Sequence, residues 1–105
     1  MVEQILFHKN TTLVRRMILE PDEVMPWHRD PYQRVTVVLR GESITIEYRD
    51  GSPDVHIPVS PGQVDWDEPS DRVHRGKNDG KLVYEEVTVF FLDRPDAAHQ
   101  PVEDQ

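Results

Sequence analysis

Turn residues cut this chain at short, even intervals, and that rhythm leaves room for little except β-strands. Pro21-Asp22, Gly41-Glu42, Asp50-Gly51, Ser60-Pro61-Gly62, Glu68-Pro69-Ser70 and Asn78-Asp79-Gly80 each combine residues that fix or relax φ. The segments between them are rich in Val, Ile, Leu, Thr and aromatic residues. They predict strands over Val2–His8, Thr12–Glu20, Arg34–Arg40, Ser43–Arg49, Val55–Val59, Gln63–Asp67, Arg72–Arg75 and Lys81–Leu92. Val24–His28 contains Pro26 and suits only an edge strand. Arg34–Arg40 alternates strictly, with Val35, Val37 and Leu39 on one face and Arg34, Thr36, Val38 and Arg40 on the other. Ile44 and Ile46 share a face in the same way. No segment keeps a helical period over three turns. The expectation is an all-β sandwich or barrel.

The chain has 105 residues, which makes one domain with one modest core. Its net charge is −8. Four acids (Asp93, Asp96, Glu103, Asp104) and one base (Arg94) put −3 in residues 93–105, leaving −5 for the rest. Residues 1–92 are expected to form the barrel and 93–105 an acidic, flexible tail. An acidic body without a basic run argues against a nucleic-acid partner and against an anionic membrane surface. There is no cysteine, so a disulfide framework and a thiolate site are excluded. The amino terminus lacks a basic region followed by an apolar core, and no apolar run reaches the ~18–20 residues of a membrane span, so a cytoplasmic location is expected.

Two histidines sit in recognisable surroundings: His28 in Met25-Pro26-Trp27-His28-Arg29-Asp30 and His74 in Pro69-Ser70-Asp71-Arg72-Val73-His74. Together these segments resemble the two motifs of the cupin superfamily. The first motif runs Gly, five residues, His-x-His, three or four residues, Glu, six residues, Gly. Here the same spacing carries Asp22, His28, Asp30, Arg34 and Gly41. In the second motif Pro69, His74 and Asn78 match, Asp71 replaces a glycine, and Gly62 lies one residue upstream of its place. The resemblance covers residues 12 to 92 and implies a cupin-type double-stranded β-helix, or jelly-roll barrel. Small cupins often dimerise, sometimes by exchanging an amino-terminal strand, and Ile5-Leu6-Phe7 suits such an edge contact.

The resemblance also implies a site. In metal-binding cupins the ligands fall at the positions of His28, Asp30, Arg34 and His74. Arg34 cannot coordinate, because a guanidinium offers no lone pair and stays protonated. If the strand runs on through Pro31, residues 28, 30 and 34 share a face, and Asp30 and Arg34 form an internal ion pair in place of the ion. That favours a metal-independent site for a small carboxylate or sugar-type molecule. Arg34 then holds an anion, His28 or His74 acts as general base, and Trp27 and Tyr32 line the ligand. The alternative is a divalent metal (iron, manganese, nickel or zinc) held by His28, Asp30 and His74 as a two-histidine, one-carboxylate triad, for oxygenase or lyase chemistry. A third reading is a non-catalytic module with the Asp30–Arg34 pair sealed beneath Trp27. Glu86, if inward, is a further base or a partner for Arg34. Asp65 and Asp67 share a face with Gln63; they either reach the mouth of the barrel or belong to a solvated acidic loop, and the loop is favoured. His8, His56 and His99 have no motif around them.

Overall fold

The computed structural model describes residues 1–94, which form nine strands and no helix. They are β1 (Val2–Lys9), β2 (Thr12–Leu19), β3 (His28–Asp30), β4 (Gln33–Arg40), β5 (Ser43–Tyr48), β6 (Val55–Pro58), β7 (Val64–Asp67), β8 (Ser70–Lys77) and β9 (Tyr84–Phe91). Five make one antiparallel sheet in the order β1-β2-β9-β4-β7, and four make another in the order β3-β8-β5-β6. No helix among these residues is long and apolar enough to cross a membrane. The tail expected over 93–105 and His99 fall largely or wholly on residues 95–105, outside the described residues.

Three expectations change. The Val24–His28 segment gives only an isolated bridge from Val24 to Lys77 before β3 begins at His28, because Pro26 has no N–H to donate. The strand expected over Arg72–Arg75 extends to Ser70–Lys77, since β8 is held by β3 on one side and β5 on the other. The continuous strand through residues 28, 30 and 34 does not form. Pro31 separates β3 from β4, and the two lie in different sheets. Arg34 therefore meets Asp30 from across the barrel rather than along one strand.

The interior is apolar at both ends and polar across the middle. Met17, Leu19, Met25, Val38, Ile44 and Tyr84 form one apolar cluster, with Ile57 and Val59 against it. Leu13, Phe90 and Leu92 form the other, with Tyr32 against it. Each such side chain taken from water contributes ~1.5–3 kcal/mol. Alternation on β2, and on β9 from Glu86 onward, places Arg15, Glu86 and Thr88, all buried, between the clusters.

Three motif positions have plain structural causes. Gly41 has φ +135°, and a Cβ there would lie 2.9 Å from Tyr84 Cδ1. Asp22, where the cupin motif has glycine, has φ 72°, a left-handed conformation that Asp tolerates better than most residues. Asn78 is fully buried and donates from Nδ2 to the carbonyls of Leu19 (2.9 Å) and Leu82 (2.8 Å), tying β2 to the turn that leads into β9.

Candidate functional site

A cavity of about 400 Å³ opens between the sheets. At its polar end the β3–β8 ladder sets His28 directly opposite His74. Each imidazole is fixed in the same way: Nδ1 of His28 donates to the carbonyl of Pro26 (2.9 Å) and Nδ1 of His74 to that of Arg72 (2.8 Å). A carbonyl can only accept, so both Nδ1 atoms carry the proton and both Nε2 atoms face the cavity. There they converge on one carboxylate oxygen, Asp30 Oδ2, at 3.3 Å from His28 and 2.7 Å from His74. The rings lie 4.6 Å apart between centroids.

Arg34 reaches in from β4, with Nη2 3.5 Å from Asp30 and 4.0 Å from Asp67. Its Nη1 is buried without a hydrogen-bond partner in the protein. Burial alone would raise the Asp30 pKa. The hydrogen bonds from both histidines and the charge of Arg34 outweigh it and hold the carboxyl far below its ordinary range. Burial would likewise lower His74, but its hydrogen bonds to Asp30 and the Arg72 carbonyl raise it above the usual imidazole value.

No family model matches the sequence, and no curated protein matches it. Solved structures do. A cupin domain from Bordetella pertussis Tohama I is 17% identical with TM-score 0.74, over 85% of this chain and 90% of that one. A protein with a double-stranded β-helix domain from Klebsiella pneumoniae is 18% identical with TM-score 0.71, over 98% and 84%. An oxalate oxidase in complex with the substrate analogue glycolate is 20% identical with TM-score 0.60, over 81% of this chain and 44% of that one. The fold is that of the cupins.

Within that cupin barrel the expected site residues separate into two groups. His28, Asp30, Arg34 and His74 come together at the cavity. Trp27 and Tyr32 do not line it. Trp27 packs under the Arg75 guanidinium, 4.1 Å from Cζ to the ring centroid, and Tyr32 packs against the Leu13–Phe90–Leu92 cluster. Trp27 therefore does not seal the Asp30–Arg34 pair. Gln63, just before β7, and Asp65 and Asp67 on it line the cavity where β7 pairs with β4, and the two acids stay open to solvent there: Asp65 is exposed and the Asp67 side chain is 46% exposed. Glu86 points inward as expected, but toward Arg15 (3.6 Å to Nη2) rather than Arg34. Tyr84 donates to Glu86 Oε1 (3.0 Å), and the Thr88 hydroxyl donates a short bond to Oε2.

Arg15 and Tyr48 are among the cavity residues that sequence reasoning missed. Arg15 alternates with Leu13, Met17 and Leu19, and that pattern marks it as inward-facing. Tyr48 shares the face of Ile44 and Ile46, lines the cavity, and has its ring centroid 6.2 Å from that of His74.

The donor set fits a divalent ion. One atom each from His28, Asp30 and His74 lies within 4.8 Å of the other two. Ligands each ~2.1 Å from an ion sit ~3.0–3.4 Å from one another, close to the 2.7 and 3.3 Å found here. The cavity lining carries two arginines (Arg15, Arg34) and four carboxylates (Asp30, Asp65, Asp67, Glu86), a sum of −2 with both histidines neutral.

Proposed function

We propose that this protein is a small cupin whose cavity takes a small carboxylate-type molecule beside a divalent ion held by His28, Asp30 and His74. The observation that carries the reading is the paired anchoring of the imidazoles. Both Nδ1 protons are given to backbone carbonyls, so both Nε2 atoms are aimed at the Asp30 carboxylate, each with a second proton or a lone pair. Lone pairs and a carboxylate oxygen repel one another unless a proton or a cation lies between them. A bound ion would supply Lewis-acid or redox chemistry.

The chain's own residues would do the rest. Arg34 Nη1, buried and unpartnered, is available to donate to an acidic group of the ligand. Met25, Val38, Ile44 and Ile57 wall the other side and exclude water. The oxalate oxidase neighbour, complexed with glycolate, supports small carboxylates as the first class to screen.

A second reading has one observation in its favour: the 2.7 Å bond between His74 and Asp30 closes the cluster with a proton alone. His74 then holds a proton at Nε2 near neutral pH and passes it to a ligand held by Arg34. Elemental analysis by plasma mass spectrometry decides between the two. The test uses protein purified without chelators, then loaded in turn with iron, manganese, nickel and zinc, beside His74→Ala. The metal reading expects near one equivalent in the wild type and none in the variant. Absence of metal from loaded wild type leaves the proton reading.

A further inference from the structure

The five-stranded sheet carries a polar row that the site around Asp30 does not use. Cross-strand pairing sets Arg15, Thr88, Thr36 and Asp65 side by side on β2, β9, β4 and β7, and all four line the cavity. The hydrogen bonds of this row have a direction. The Thr88 hydroxyl owns one proton and gives it to Glu86, because a carboxylate only accepts. The Thr36 and Thr88 hydroxyl oxygens lie 3.2 Å apart. With the Thr88 proton committed, Thr36 is the donor of that bond. The Thr36 oxygen then has no proton left for the cavity and presents a lone pair there.

Asp65 stands directly opposite Thr36 and is a second acceptor. Gln63 Nε2 donates to its Oδ2 at 2.9 Å, and among the described residues no donor is found for its other oxygen. Two residues before Thr36, on the same face of β4, comes Arg34 with its buried, unpartnered Nη1. Alternate residues of a strand stand ~6.8 Å apart. One strand therefore offers the cavity an open donor and, beside it, an open acceptor next to a carboxylate.

We propose that the ligand is an amino carboxylate, its carboxylate on Arg34 Nη1 and its protonated amine on Thr36 Oγ1 and Asp65. This rests on the carboxylate reading above and adds a second recognition group to it. Polarity selects the amine. A carbonyl or ether in that place would set acceptor against acceptor. A hydroxyl would give one proton to Thr36 and leave the Asp65 charge unmatched. An ammonium brings three protons and the complementary charge. The exposed acids of the mouth, Asp65 and Asp67, oppose the entry of a plain anion and attract the positive end of a zwitterion. A dicarboxylate is the rival. Arg15, at the other end of the row, spends its Nη atoms on Glu3 (3.4 Å) and Glu86 (3.6 Å), but its buried Nε lacks a partner.

Isothermal titration of the full chain, incubated with zinc, tests the proposal with five small molecules: propanoate, 2-hydroxypropanoate, 2-aminopropanoate, 3-aminopropanoate and succinate. The better amino acid should bind about tenfold or more tighter than propanoate, the order of a charge-assisted hydrogen bond, with 2-hydroxypropanoate between them. Thr36→Val should erase that preference and leave propanoate binding unchanged. Thr36→Ser, which keeps the hydroxyl, should retain it. Asp65→Asn, at an exposed position, should reduce it several-fold and serves should Thr36→Val not fold, as judged by circular dichroism. Arg34→Met should weaken all five. Amino acids no tighter than propanoate, with propanoate still dependent on Arg34, overturn the inference and leave the carboxylate reading standing. A preference that survives both Thr36→Val and Asp65→Asn overturns it by placing the amine elsewhere, such as on the ion. Succinate binding tightest overturns it in favour of Arg15. No binding of any of the five overturns both readings.

Discussion

Asp30 and Glu86 are both buried carboxylates in one cavity, 5% and 8% exposed, and each gathers several partners. The partners differ in kind. Glu86 is surrounded by two hydroxyls, from Tyr84 and Thr88, and by Arg15. Burial and the Glu86 charge push the Tyr84 hydroxyl well above its ordinary pKa, so its proton stays in place. Asp30 is surrounded by two imidazoles whose facing nitrogens can each hold a proton or give a lone pair. Satisfaction by fixed donors makes a structural group. Satisfaction by exchangeable ones makes a site.

The sharpest way to break this comparison is to treat both carboxylates alike. Asp30→Asn keeps the size of the side chain and removes the anionic ligand. Metal affinity should fall ~100-fold or more, by the order expected for a lost ligand, read as metal retained after dialysis. Glu86→Gln should leave metal content unchanged. It should instead lower stability by about 1–3 kcal/mol, a drop of several degrees in Tm, because Arg15 and a hydroxyl lose their acceptor inside the protein. Metal loss in Glu86→Gln of the same size as in Asp30→Asn would erase the distinction.

Arg34 sharpens it further. Its cation stands 3.5 Å from Asp30, at the motif position where metal-binding cupins carry glutamate. Replacing it with Met removes a charge that opposes the ion. Metal affinity should rise well over tenfold by isothermal titration, since a unit charge pair ~4 Å apart is worth ~4 kcal/mol at an effective dielectric near 20. Binding of small carboxylates should weaken in the same variant. Unchanged metal affinity would mean that Arg34 is neutralised by Asp30 and Asp67 and does not act on the ion.

How much of this was legible follows from what strand parity can and cannot say. Turn residues marked the strands, and alternation sorted Arg34, Thr36 and Val38 from Val35 and Val37. The motif spacing brought His28 and His74 together across the barrel. Parity does not say which face is inside. On β4 the polar face lines the cavity, and Val35 and Val37 lie on the apolar back, so the usual hydrophobic rule points the wrong way. The acids of β7 satisfy both readings made of them: Asp65 and Asp67 line the mouth and remain solvated. Pro31 was visible as an interruption, but nothing local says that β3 and β4 leave it for different sheets. Trp27 and Tyr32 neighbour site residues in sequence, and side-chain packing turned both away.

The smallest expected effect separates the two carboxylates by pH. The folded pKa of His74 lies above 6.5 because of its bond to Asp30. A raised pKa means that the folded state binds the proton more tightly than the unfolded chain. Its contribution is complete below 6.5 and is lost as pH rises through the folded value. Metal-free protein should therefore lose a few degrees of Tm from this group as pH rises from about 6.5 through the folded value. The ion competes with that same proton, so the gain in Tm from added metal should grow over the same interval. Glu86→Gln should keep both trends, since Tyr84, pushed up by burial, holds its proton throughout. His74→Asn should abolish both. Parallel Tm curves with and without metal, measured by calorimetry across this range, would show that proton and ion do not share the Asp30 oxygen, and the cluster would then be as fixed as the one around Glu86.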